Sequence, residues 1–402
     1  MGIEIRVPVE EDWVAFCHVD GRAFGFTYTE QDREDRRPTM DLTRFRIACD
    51  GPEIVGIAGT FSFDVAVPGG RTLPMGGLTW VSTAATHRRQ GILTRLMDAV
   101  HRDVDERGEP IANLSASQAG IYERFGYGIA TSSRVASIST RGLQIAEQHR
   151  GPQGAVRFMS DDEARNAIPP IWDRYRRLRP GEVSRSGEWH DGNVTIRARP
   201  QGNASATFYL GHADGYAVYR VVDTWNDGFA EHELQLTELV AATPVAHVAL
   251  WSTLLDMDLV TTIKTRAVPE DDPLGYLVTD YRAVRTVALM DGIWANVRDP
   301  KTCLEARTYA TDDELVIALV DGDTPGRRVS LTGSAEGGSC RTVRTKPDLT
   351  MSTATLGGLL YGGVRPSRLA AAKKLEARSD DILRRAELLF PMAPLPYCQT
   401  AY

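Results

Sequence analysis

The stretch GGLTWVSTAATHRRQGILTRLM (residues 76–97) decides how this chain is read. Through Thr83 it is apolar and rich in β-propensity, the composition of a buried strand. After that the period changes. Ile92, Leu93, Leu96, Met97, Val100 and Val104 recur at three and four residues, the stripe of an amphipathic helix that stops at Gly108 and Pro110. Between strand and helix, a turn of small residues delivers His87-Arg88-Arg89-Gln90-Gly91 to the helix start. The first N–H groups of a helix lack intrahelical acceptors and sit at the positive end of its dipole, so such a junction is an anion site. A glycine there lets the backbone approach a phosphate, and two arginines can close over it. The pattern suits a pyrophosphate; an ordinary strand–turn–helix with exposed arginines gives the same pattern, and the motif alone leaves both readings open.

Working outward, EEDWVAFCHVDGRAF places Trp13, Phe16, Cys17 and Phe24 near helical spacing, and EQDREDRRPTMD reads as loop or exposed helix. Strand-like runs follow in FRIACDG, EIVGIAGTFSFDVAVPGG and TLPMGGLTWVST, broken at Asp50-Gly51 and Pro68-Gly69-Gly70. Those breaks are hairpin turns, so the sheet starts antiparallel. Beyond the helix, PIANLSAS reads as another strand and GIYERFGYG as a short helix. The first part of the chain is therefore an α/β pattern with one parallel βαβ step in its middle.

Residues from about Val156 to Arg285 repeat this pattern. HADGYAVYRVVD (212–223) echoes ACDGPEIVGIAG (48–59), and LTELVAATPVAHVALWSTLL (236–255) lies without gaps under LTWVSTAATHRRQGILTRLM (78–97). Strand-to-helix patterning survives in the second copy, but Arg88, Arg89 and Gly91 become Ala246, His247 and Ala249. After Met290 the character changes again. DELVIALVDG (313–322), RVSLTG and CRTVRT read as strands; LTMSTATLGGLLYGG, PSRLAAAKKLEA and SDDILRRAELLF read as helices, the last capped by Ser379. The expected domains are 1–150, 151–288 and 289–402.

Composition narrows the function classes. The chain has 402 residues, 42 % hydrophobic and 25 % charged, as in a globular protein of two or three domains. Its net charge of -7 argues against a nucleic-acid binder, which needs clustered positive charge. The five cysteines are scattered with no CxxC pair, and the eight histidines form no HxH or HxxxH pair, so no metal site and no disulfide framework are expected. The charge-free stretch from Leu239 to Leu255 contains Pro244, His247 and hydroxyl residues, so no membrane span is expected. A reducing cytoplasm is the simplest setting for such cysteine usage. The basic run DRYRRLRP (173–180) reads as an exposed amphipathic helix.

The pair formed by Arg88-x-x-Gly91 and GIYERFGYG resembles the GNAT acyltransferase superfamily, whose loop binds the pyrophosphate of acyl-coenzyme A. Leu93 stands at the last motif position instead of Gly or Ala, which affects how closely helix and phosphate can approach. The tandem halves, VEEDW (9–13), THRRQG (86–91), GIYERFGYG (120–128) and LAAAKKL (369–375) together resemble the enhanced intracellular survival (Eis) family over essentially the whole chain. That resemblance implies tandem GNAT folds with mixed, mostly antiparallel sheets in an α/β (α+β) architecture. It also implies a C-terminal α+β domain like a sterol carrier protein. The expected activity is acetyl-CoA-dependent N-acetylation of aminoglycoside amines, with protein lysines or polyamines as the alternative acceptors and a non-catalytic lipid-binding or scaffold protein as the third reading. The family also implies a homohexamer.

By the same resemblance, the backbone N–H of Val81 would hold the thioester oxygen and Thr83 would bond the pantetheine. Arg88, Arg89, Gln90, Gly91 and Leu93 would form the pyrophosphate cradle, with Ser117 completing the coenzyme site. Tyr122 would protonate the departing thiolate, while Phe125 and Tyr127 are better explained as packing. The carboxylate of Tyr402, in an apolar proline-rich tail, would act as base. The loop after the first helix would line the acceptor pocket through Phe24, Phe26, Tyr28, Glu30 and Asp32, with Trp80 as a wall. Arg33, Arg36 and Arg37 in that loop would repel a cation.

Overall fold

The computed structural model describes residues 2–151, 155–198, 202–321 and 327–402, which fall into two compact units. Residues up to Thr131, Gly292–Ala393 and Thr400–Tyr402 form the first; Ser132–Asp291 and Pro394–Gln399 form the second.

The first unit opens with β1 (Glu4–Arg6), α1 (Trp13–Phe24), α2 (Glu30–Arg36), β2 (Phe45–Asp50), β3 (Glu53–Ala66) and β4 (Thr72–Thr83). It continues with α3 (Ile92–Glu106), β5 (Ile111–Ser115) and β6 (Gly128–Ile129). The sheet runs β1-β2-β3-β4-β5, then the strand Ile293–Val297, then β6. β2–β3 and β3–β4 are antiparallel hairpins at the two predicted turns, and β4–β5 is the predicted parallel step. The crossover helix α3 buries Ile92, Leu96, Met97, Val100 and Val104 against Val55, Ala58, Leu78, Ala112 and Leu114. Each such side chain contributes roughly 1.5–3 kcal/mol on full burial, so this stripe fixes the helix on the sheet. The helix ends where Glu109 N–H donates to the Val104 carbonyl and Gly108, at φ +70°, donates to Asp105, the reciprocal pair of a glycine C-terminal cap.

The same unit holds a five-stranded sheet in the order Gly337–Thr342, Arg327–Ser334, Asp313–Leu319, Leu349–Met351, Leu375–Ala377. Gly322, the end of one predicted strand, lies outside the described residues. Helix Asp380–Leu389 forms as read, capped by Ser379, whereas the expected helix LTMSTATLGGLLYGG is helical only over Thr353–Leu360, its Leu349–Met351 forming a strand instead. The expected helix PSRLAAAKKLEA is helical only over Pro366–Ala371; Lys373 turns at φ +58° and Leu375–Ala377 then pairs with Leu349–Met351. Helix propensity there yields to an available sheet edge. This region packs on the first sheet through buried polar contacts. Asn113 Nδ2 donates to Tyr361 Oη at 2.8 Å, and Gly128 approaches Ala354 so closely that a Cβ would lie 1.8 Å from its carbonyl oxygen. The fully buried Arg307 donates to the carbonyls of Leu359, Leu360 and Phe390.

The second unit has its own seven-stranded sheet. Asp214-Gly215 joins Phe208–His212 to Gly215–Val222, and His232–Ala241 runs parallel to Val260–Thr265 across the helix Pro244–Leu255. That is the hairpin and parallel step of the first sheet again. The basic run at 173–180 belongs mainly to the helix Asp161–Leu178, with Tyr175 and Arg176 buried rather than exposed. Two strands pair away from the segments to which the sequence reading assigned them. Ser132–Ser139, read with the first domain, pairs with Thr262–Lys264 and Val284–Asp291 in the second sheet. Ile293–Val297, read with the C-terminal domain, pairs with β5 and β6 in the first. Local patterning fixes that a segment is a strand, while its partner is a long-range property.

Candidate active site

The site begins with a defect in β4. Across from β3, Ser82 opposes Ile57 and Thr79 opposes Gly59, so Trp80 and Val81 share the space opposite Ala58. This is a β-bulge, which interrupts the ladder and bends the strand. Trp80 sits at φ +53°, an unusual value for an aromatic residue and one that costs on the order of 1–3 kcal/mol. Its ring is held in return by Tyr28, stacked at 5.5 Å and 11°, and by Phe16 at 5.3 Å and Trp13 at 5.9 Å. Parallel pairing of β4 with β5 stops at Gly77 and Asn113. Beyond that point the strands part, and a cleft opens between Val81 and Thr83 on one side and Ser117 and Tyr122 on the other.

The cleft has a volume of about 820 Å³, and its floor is the start of α3. Arg89 and Gly91 take φ values of +64° and +75°, left-handed turns that curl the loop ahead of the helix. The first helical bond closes from Arg95 N–H to the Gly91 carbonyl, and the N–H groups of residues 88–94 have no acceptor among the described residues. Arg88 and Arg89 are exposed and carry no ion pair among those residues. A Cβ on Gly91 would meet nothing within 4 Å, so the space above it is open. Unsatisfied N–H groups, two spare guanidinium groups and an open approach fit the diphosphate of an acyl-coenzyme A.

A second cavity of about 290 Å³ adjoins this cleft, sharing Phe24, Val81, Ser117 and Tyr122 with it. Tyr122 is 5 % exposed, and its hydroxyl makes no hydrogen bond among the described residues. Burial raises its pKa, so the phenol is protonated at neutral pH. Tyr127, by contrast, is fully buried and bonds His101 at 3.0 Å, which makes it structural. Tyr402 lines the second cavity with its ring 5.0 Å from Phe63.

The structure gathers Val81, Thr83, Arg88, Arg89, Gly91, Leu93, Ser117 and Tyr122 around the larger cleft. It gathers Phe24, Phe26, Tyr28, Trp80 and Tyr402 around the smaller one. Gln90 is exposed in the loop without lining the cleft. Glu30 and Asp32 are not among the residues lining these two cavities; Glu30 is exposed in the first turn of α2, and Asp32 accepts from Thr29 N–H and Oγ1 in the capping box of that helix.

The sequence reading passed over Asp20, a buried carboxylate on the wall of the smaller cavity. It accepts from Tyr28 Oη at 2.8 Å and from Ser82 Oγ at 2.9 Å, and desolvation raises its pKa despite those bonds. Its signal was legible: Trp13, Phe16, Cys17 and Asp20 share one helical face, and an acid on an apolar stripe needs a reason to be there. Arg36 was noted only as a repulsive charge, and it lines the same cavity.

A bulged strand splayed from its parallel neighbour above a helix start with open N–H groups is an arrangement that suits a GNAT acetyltransferase, an enzyme class that takes its acetyl group from acetyl-coenzyme A. Residues 4–130 and 181–298 each match the acetyltransferase (GNAT) domain family, and residues 300–399 match the sterol carrier protein domain. The chain is 32 % identical to N-acetyltransferase Eis of Mycobacterium bovis, over 97 % of both chains. It is also 32 % identical to an uncharacterized N-acetyltransferase of Streptomyces avermitilis over 99 % of both. The crystal structure of Eis1 from Mycobacterium abscessus matches it over 100 % of both chains at a TM-score of 0.88 and 32 % identity. The chain belongs to the Eis family of N-acetyltransferases.

Proposed function

We propose that the first unit transfers acetyl to a primary amine by direct attack in a ternary complex. The observation that carries this reading is Tyr122, whose unpartnered hydroxyl stands where the two cavities meet. Acetyl-coenzyme A supplies an acetyl thioester. Arg88, Arg89 and the N–H groups at the start of α3 hold its diphosphate, with Gly91 and Leu93 at the contact and Thr83 and Ser117 along the cleft. Val81, which has no partner across the bulge, turns its N–H toward the thioester oxygen. Tyr122 gives its proton to the departing sulfur, and a carboxylate on the acceptor side takes the proton released by the amine. Tyr402 is the candidate for that base through its carboxyl end, with Asp20 as the other carboxylate on that wall.

Direct attack is favoured over a covalent acyl-enzyme because no cysteine lines either cavity among the described residues. Cys17 and Cys49 are buried in the core, and burial pushes the Cys17 thiol up to about 12. Aminoglycoside amines, which the family resemblance implies, remain a second acceptor reading, supported by the aromatic wall and Asp20. The decisive experiment varies acetyl-CoA and amine together while following free thiol, over a panel of small amines, aminoglycosides and lysine peptides. Intersecting reciprocal plots are expected. Parallel plots would overturn direct attack, and no thiol release with any amine would overturn the function. Loss of activity on removal of Tyr402, without loss of coenzyme binding, is expected if its carboxyl is the base.

A further inference from the structure

The Tyr122 side of the larger cleft carries an arginine that the proposed chemistry does not use. Tyr122 and Arg124 both line that cleft, and of the two Tyr122 is buried while Arg124 is exposed, which puts Arg124 at the rim. A 3-10 turn over Glu123–Phe125 carries it, closed by Gly126 N–H on the Glu123 carbonyl and held by Asn296 Nδ2, which donates to the Phe125 carbonyl at 2.8 Å. Arg124 makes no hydrogen bond or ion pair among the described residues. Its guanidinium lies 4.7 Å from the centre of the Phe125 ring, a stacked placement that leaves its N–H fork free. Its chain neighbour Glu123 would be a ready partner, but Lys374 already holds that carboxylate. Lys374 comes from the LAAAKKL segment, whose chain turns at Lys373 with φ +58°. Its N–H donates to the Leu369 carbonyl, and its own carbonyl accepts from Thr355 Oγ1 at 3.2 Å. The segment therefore delivers an ammonium to Glu123 and leaves Arg124 without a counter-charge.

We infer that Arg124 binds the 3′-phosphate of coenzyme A, and that Lys374 is a positioning residue that keeps Arg124 available for it. This rests on the coenzyme site proposed above. Coenzyme A carries two separate anionic groups: the diphosphate that links pantetheine to adenosine, and a phosphate monoester on the 3′ oxygen of the ribose. The open N–H groups at the α3 start, with Arg88 and Arg89, account for the diphosphate alone. The monoester carries a charge of about −1.5 to −2 at neutral pH and three acceptor oxygens, which a free planar fork suits. Of the arginines lining the cleft, Arg124 is the one outside the loop before α3. Tyr122 faces the thioester from inside the cleft, so the exposed rim at Arg124 is open to the nucleotide end that stays outside.

Isothermal titration calorimetry with coenzyme A and 3′-dephospho-coenzyme A, which differ only in the monoester, tests this without any acceptor amine. Wild type is expected to bind coenzyme A about tenfold more tightly, as a charge-assisted hydrogen bond implies, with the ratio shrinking at high salt. Arg124→Gln should bring the ratio close to one by weakening coenzyme A alone, and Arg124→Lys should keep part of it. Lys374→Met, which frees Glu123 to pair with Arg124, should lower the ratio, and adding Glu123→Gln should restore it. A merely structural role for Lys374 gives no such rescue, and its absence would overturn the positioning role. A wild-type ratio near one, a ratio that Arg124→Gln leaves unmoved, or a loss that falls equally on both ligands would overturn the inference and leave the coenzyme site standing. A ratio abolished by Arg88→Gln or Arg89→Gln but not by Arg124→Gln would also overturn it, moving the monoester to the loop. Binding of neither ligand to wild type would remove the coenzyme site as well.

Discussion

Replacing Tyr122 with Phe separates chemistry from packing, because the structure gives the hydroxyl no packing role. The ring belongs to the cluster of Leu78, Leu96, Met97 and Leu114, and Phe keeps that contact. The hydroxyl has no partner among the described residues, so its removal breaks no hydrogen bond and strands no buried donor. Stability should stay level or rise slightly. On the proposed mechanism its work is confined to the proton delivered to sulfur. General acid catalysis contributes about 10²–10⁴-fold, so kcat should fall by that factor, about 2.7–5.5 kcal/mol of barrier.

The assay is kcat by thiol release at saturating acetyl-CoA, paired with urea denaturation of both proteins. Alkaline pH gives a second readout. Burial raises the Tyr122 pKa above its ordinary 10.0, so above that pH the folded enzyme keeps a proton that the unfolded chain releases. Wild-type stability therefore falls as pH rises from the unfolded value toward the folded one, and Tyr122→Phe should lose less over that window. A kcat within about threefold of wild type would refute the proton-donor role. A fall in kcat matched by a comparable loss of stability would show a structural role instead.

Arg88→Ala and Arg89→Ala, which break no ion pair, should each raise KM for acetyl-CoA about tenfold with unchanged denaturation midpoints, and the effect should shrink at high salt. Asp20→Asn should weaken binding of the acceptor. Because the folded-state pKa of Asp20 is raised above 3.8, wild type should lose stability relative to the variant as pH rises through that window, read from urea midpoints on either side of it. Gly128→Ala should destabilise by about 3 kcal/mol or more in chemical denaturation, since the new Cβ would fall 1.8 Å from the Ala354 carbonyl oxygen, a backbone atom with little freedom to yield.

What the sequence made legible was local. The Asp-Gly turns, the α3 stripe and the arginine–glycine junction each declare themselves within a few residues, and each formed where it was read. The bulge at Trp80 has no local signal: its positive φ is held by Tyr28, Phe16 and Trp13, which reach it only through the fold. Asp32 shows the opposite case. Thr29-x-x-Asp32 is a helix-start pattern readable in the chain, and it accounts for one acid that the family analogy had placed in the pocket. Strand partners were illegible for a third reason. Ser132–Ser139 and Ile293–Val297 have ordinary strand compositions, and nothing in either names its neighbour.

The second copy shows how few changes remove an open N–H array while keeping its scaffold. Its strand ends at Ala241, where the repeat places Thr83, but its helix starts at Pro244, opposite Thr86 rather than opposite Ile92. Pro244 has no N–H to offer and presets a helical φ, and Thr243 Oγ1 takes the Ala246 N–H at 3.2 Å. Donors that stay open in the first copy are thus absent or satisfied in the second. Ala249 stands for Gly91 inside a regular helix, so the left-handed turn that curls the loop is gone. Ala246 replaces Arg88, and His247, in place of Arg89, is bound to Asp272 at 3.0 Å. The cavity left there is lined mainly by alanine, proline, valine and leucine. On the proposed reading, helix start, glycine turn and arginines act as one device: winding the loop into helix removes its N–H array and its turn together, and a diphosphate site would need all three restored.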